Sequence, residues 1–133
     1  MNPLNLSPLQ KKMIREVTIV KNFYSKNPDR RASYGGSCSY QTPHGNKCAV
    51  GRILNKKDME YLDREGMIDG TSIHDVFEYL TTKRVTDLPV TFWEKVQSFH
   101  DDDEHWNNEG ITEEGLRYFN SLLEDIKAGL KFY

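Results

Sequence analysis

Leu9, Met13, Val17, Val20 and Tyr24 recur at spacings of four, four, three and four. That period puts them on one stripe of an α-helix. Ser7 offers an oxygen to the open backbone donors and Pro8 suits a first helical position, so the helix begins there. The polar run "SKNPDRR" ends it, because Pro28 disfavours helical geometry at Asn27. The apolar period is then lost. "RASYGGSCSYQTPHGNK" reads as loop with two short strands that include Tyr34 and Tyr40, and "TPHG" has the proline and glycine positions of a type I turn.

Helical character returns in "KCAVGRILNKKDMEYLDREG". Cys48 lies in or just before the first turn, Met59 and Leu62 are core positions, and Gly66 is the C-terminal stop. In "TSIHDVFEYLTTKR", Ser72 and Asp75 make an N-terminal cap ahead of Ile73, Val76, Phe77 and Leu80, which share one side of a helix. After "VTDLP", Thr91 and Glu94 form a capping-box pattern before Phe92, Trp93, Val96 and Phe99, in a helix that closes near His100. The last helix starts near Thr112 and carries Leu116, Phe119, Leu123, Ile126 and Leu130, with fraying at Gly129. No repeat, low-complexity tract or linker divides the chain. The expectation is one mainly α domain over residues 1–133, α+β at most, with a small irregular or β-hairpin insertion around residues 33–48.

The 133 residues are enough to bury about two-thirds of the surface of the unfolded chain. Seven Tyr, six Phe and two Trp supply the bulk for a core, which argues against disorder. A formal charge of −2 provides no general attraction to nucleic acid or an anionic membrane. No apolar run reaches the roughly 20 residues of a membrane span, and "MNPLNLSPLQKK" has no signal-peptide core. A cytoplasmic location is expected, where two cysteines remain free thiols or metal ligands. The glycines at 35, 36, 45 and 51 match no phosphate-binding or dinucleotide fingerprint, so no nucleotide cofactor is implied.

Candidate chemistry centres on the two cysteines. Cys38 and Cys48 are separated by nine residues, more than the about two to four of a zinc knuckle. With His44 between them and His74, His100 and His105 elsewhere, two thiolates and one or two imidazoles would suit tetrahedral zinc. A second reading makes Cys48 a nucleophile, its thiolate favoured by a helix N-terminus and by Lys47. His100 would then be the base and Asp101 or Asp103 its orienter. The third reading is that both thiols simply pack beneath the loop.

Other features are weaker. "DDDEHWNNEG" is not an EF-hand, because Asn108 occupies the position where that loop turns on glycine; a looser divalent-ion site on Asp101, Asp102, Asp103 or Glu104 is the remaining metal reading there. Arg30 and Arg31 with Tyr34 make a small basic and aromatic group of the kind that holds a phosphate or stacks on a base.

"CSYQTPHGNKCAVGRIL", "MEYLDREG" and "VQSFHDDDEHW" together resemble an uncharacterised family of small bacteriophage and bacterial proteins. Its pattern is Cys-x-Tyr, Gly-x-Lys-Cys-Ala-x-Gly, a Tyr and Glu-Gly, then Gln-x-x-His-Asp with a nearby Trp. The matching positions are Cys38, Tyr40, Gly45, Lys47, Cys48, Ala49, Gly51, Tyr61, Glu65, Gly66, Gln97, His100, Asp101 and Trp106. Gln41 departs from it, standing where an Arg usually follows the Tyr, and "GRILNKKD" replaces a more apolar run. The resemblance implies no established activity. It implies that Cys38, Cys48, His100 and Asp101 belong together and makes His44 a weaker ligand. The resulting expectation is a phage-type accessory or host-interaction protein that binds another protein, with a Cys/His-centred structural site of a kind that suits zinc; the alternative is a cysteine-dependent hydrolase or transferase using Cys48 and His100.

Overall fold

The computed structural model describes residues 6–31, 33–34, 37–42, 45–69 and 71–129, with the side chains at 33, 34, 37 and 38 outside the described part. The architecture is mainly α with small hairpins, as the periodicity requires. Helix α1 spans Pro8–Lys26 and opens on a complete capping box between Ser7 and Gln10. Its buried face is Met13, Glu16, Val17, Val20 and Tyr24. Leu9, placed on that stripe by spacing, is 39% exposed because it precedes the first residues covered by other elements. The expected hairpin consists of β1 (Ser33–Tyr34) and β2 (Ser37–Cys38), antiparallel with Ser33 opposite Cys38. Tyr40 lies beyond it. The "TPHG" turn falls partly on residues 43 and 44, outside the described residues, but Gly45 N–H donates to the Thr42 carbonyl and Gly45 has a φ of 86°.

The helix expected after Lys47 divides in two. A 3₁₀ turn covers Gly51–Ile53, and α2 covers Lys56–Arg64 after an Asn55 cap. The next expected helix is cut short. Ser72 caps as expected, but α3 is only Ile73–Val76, continued by a 3₁₀ turn at Phe77–Tyr79, and a separate α4 occupies Lys83–Thr86. The cause lies on α2. The buried Asp58 carboxylate accepts from the backbone N–H groups and hydroxyls of both Thr81 and Thr82, at 2.6–2.9 Å. Those amides are thereby withdrawn from helical pairing.

Helix α5 spans Val90–Asp101 with Pro89 at its N-cap. The Thr91–Glu94 capping box therefore does not form: the helix starts before Thr91, whose hydroxyl is buried inside it without a partner among the described residues. A second hairpin, β3 (Trp106–Asn107) with β4 (Gly110–Ile111), precedes α6 (Glu113–Lys127), which Thr112 caps. Along α6 the buried positions are Gly115, Phe119, Leu122 and Ile126; of the expected stripe, Leu123 is only half-buried, with Leu122 in the interior instead, Leu116 is on the outer side and Leu130 lies outside the described residues. Helix α1 packs against both α5 and α6, and the buried apolar residues join into one cluster. Among the described residues, no helix is long and apolar enough to cross a membrane.

Candidate functional site

Cys48 stands just before the 3₁₀ turn. Its N–H donates to the Ser39 carbonyl, its own carbonyl accepts from Arg52 N–H, and its Sγ accepts from the Gly51 amide at 3.3 Å. The sulfur thus takes the role that an oxygen plays at an N-cap, reaching a donor three residues ahead. The fit is tight. A Cβ on Gly51 would stand 2.1 Å from the Tyr40 carbonyl oxygen, which is why only glycine lets the two strands of backbone touch here.

On the facing helix, Gln97 and His100 lie one turn apart. Gln97 Oε1 accepts from Val50 N–H at 3.1 Å, so α5 is fastened directly to the turn that carries Cys48. Tyr24 of α1 lies between them. Its hydroxyl donates to the Lys47 carbonyl at 2.6 Å, on the peptide leading into Cys48, and its ring meets the His100 ring edge-on, 4.6 Å between centroids. Tyr24, Cys48 and His100 are each 0% exposed. The "Lys-Cys-Ala-x-Gly" and "Gln-x-x-His-Asp" segments therefore meet, with Tyr24 and Gln97 as the joints.

His100 Nδ1–H donates to Asp101 Oδ1 at 2.7 Å, while Nε2 is buried with no partner among the described residues. Burial disfavours the imidazolium and pulls His100 below its ordinary pKa, outweighing Asp101; the cationic Arg31 and Arg52 act in the same direction as burial. Burial, with the nearby Cys48, likewise raises the Tyr24 phenol. Arg52 is itself lowered by burial, lies 6.0 Å from the centroid of the Phe23 ring, and keeps Nε and Nη2 buried and unpaired among the described residues.

Of the two proposed orienters, Asp101 meets the imidazole and Asp103 pairs instead with Arg31. Arg31 also donates to the His100 carbonyl, so it is committed to this corner rather than to a phosphate or base, and Tyr34's side chain lies outside the described residues. His105 is buried with Nδ1 on the Phe99 carbonyl, and His74 is on the surface near Glu94. For the zinc set of Cys38, Cys48, His100 and His44, the Cys38 side chain and His44 lie outside the described residues. Among the described residues, no three His, Cys, Asp or Glu side chains are grouped to hold a metal ion, and this holds for the acidic run as well.

Several contributors carry no motif signal. Glu16 is buried on α1 and takes a two-pronged ion pair from Arg84 of α4, at 2.6 and 2.9 Å. Asp58 looks like an ordinary surface carboxylate in the sequence. The one readable hint was Tyr24: a tyrosine on a buried stripe needs a partner for its hydroxyl. Comparison with known protein families, characterised proteins and solved structures yields no match.

Proposed function

We propose that this chain is a small cytoplasmic, phage-type accessory protein that acts by binding another protein, and that Cys48, Tyr24 and His100 form a structural node rather than a catalytic centre. The observation that carries the reading is the complete burial of all three side chains. A nucleophile and its base must reach a substrate, whereas groups that cap a turn and lock one helix to another gain from exclusion of water. The competing reading, a hydrolase or transferase, draws on the Asp101–His100 pairing and on the His100 Nε2, which has no partner among the described residues.

Alkylation separates the two. With iodoacetamide and peptide-resolved mass spectrometry on the folded protein, Cys48 should label on the order of a hundredfold more slowly than in denaturant, at every pH at which the fold persists. Fast labelling of folded Cys48, with a pH midpoint well below that of an ordinary thiol, would replace the binding reading with the enzymatic one.

A further inference from the structure

A groove of about 510 Å³ opens between α2 and the segment around Ile68, on the side where Gln41 and Thr42 pass. Its apolar material is Met59 and Ile68, both half-buried; its charged material is Glu60, Asp63 and Asp69, all exposed. No lysine or arginine among the described residues lines it. Among the described residues, Asp63 enters no ion pair, and Asp69 accepts only the neutral Ser39 hydroxyl, at 2.6 Å. Glu60 has Lys56 at 3.8 Å, but both side chains are largely in solvent, where such a pair is weak and screened. Three carboxylates thus face one concavity in a chain whose total charge is only −2.

We infer that this groove takes a cationic peptide segment of a protein partner, with a lysine or arginine stem lying along Met59 and Ile68 and its charged head among the carboxylates. Long basic side chains carry both an apolar stem and a charge, which is the pairing that this lining offers. Charge complementarity of this kind sets orientation and encounter rate. A bare metal ion would leave the apolar surface unused. The inference deepens the binding reading above and rests on it.

The test uses the full chain and a fluorescein-labelled peptide of about twelve residues alternating Lys or Arg with Leu, followed by anisotropy at low and near-physiological salt. Binding should weaken with salt. It should fall about tenfold or more in the Glu60→Gln, Asp63→Asn double variant, and it should weaken when glycine replaces the peptide's leucines. Equal affinity for parent and double variant, both shown folded by their melting curves, would overturn the inference. So would competitive displacement of the peptide by calcium alone, which would make the groove an ion site. Cys48→Ala should leave peptide affinity unchanged. If the peptide fails to bind while Cys48 stays inert to alkylation, the groove assignment falls and the binding reading stands.

Discussion

Gly51→Ala should destabilise the fold by about 3 kcal/mol, lowering the midpoint of thermal unfolding by on the order of 10 °C. The added methyl would stand 2.1 Å from the Tyr40 carbonyl oxygen, with Tyr40's carbonyl carbon and Cα at 2.8 and 2.9 Å. These are backbone atoms, so no side-chain rotation relieves the overlap. The Tyr40 segment is held in turn, its N–H on the Ile68 carbonyl and its hydroxyl on the Thr71 carbonyl at 2.9 Å. Separating it from Gly51 would disturb the Cys48 Sγ contact and the Val50–Gln97 bond together. A loss below about 1 kcal/mol in denaturant unfolding would mean that the Tyr40 and Gly51 backbones are not in close contact.

Asp58→Ala should cost about 3–4 kcal/mol, the range for breaking a buried network of charge-assisted hydrogen bonds. It would strand the four donors of Thr81 and Thr82 that the carboxylate now satisfies. Asp58→Asn, which keeps one acceptor oxygen, should cost less. The pH dependence has a definite sign. Burial alone raises the Asp58 pKa, but the hydrogen bonds from Thr82 and Thr81 outweigh it and hold the carboxyl below its ordinary value. The unfolded chain therefore takes up the proton first. The stabilisation is fully present above the unfolded value of about 4 and is lost as pH falls through the lower folded value. Denaturant unfolding at a series of acid pH values should show the parent losing this contribution while Asp58→Asn does not. Parallel curves for the two proteins would contradict the assignment.

The same aspartate marks the limit of what could be read along the chain. Helices α1 and α6 were legible because apolar period and cap agree: Ser7 and Thr112 both do what their positions suggest. The segment after Ser72 has an equally good period, yet a carboxylate more than twenty residues upstream takes the amides that a longer helix would need. Local pattern cannot report a competitor of that kind. The Thr91–Glu94 pair shows the opposite error: a cap signature that falls inside a helix begun earlier, at Val90. The second hairpin has only two residues per strand, too few for alternation to register. It is fixed from outside, where Gly110 at a φ of 126° runs so close to the Ser25 carbonyl that a Cβ would stand 2.6 Å from the oxygen.

The node was half legible. The resemblance implied a shared neighbourhood for Cys38, Cys48, His100 and Asp101; the Cys38 side chain lies outside the described residues, while Cys48 and His100 flank one tyrosine and Asp101 meets the imidazole. The segments could not reveal that Tyr24, from outside the motif, is the piece between them. They also gave no sign that Gln97 would hold the Val50 amide rather than face a ligand. Burial changes the meaning of the pattern: Tyr40, Cys48, Ala49, Gly51, Gln97, His100 and Trp106, half of its fourteen positions, are interior and describe how the chain is closed.

The His100 ring is sealed within this node, and a nitrogen-detected NMR titration of that imidazole measures this directly. The ring is expected to stay neutral, with the proton on Nδ1, through and below its ordinary value of about 6.5. Because the unfolded chain binds that proton more readily, stability should also decline as pH drops below about 6.5 toward the folded value. Titration of His100 near about 6.5, with Nε2 exchanging freely with water, would contradict a sealed node and return His100 to the candidates for catalysis.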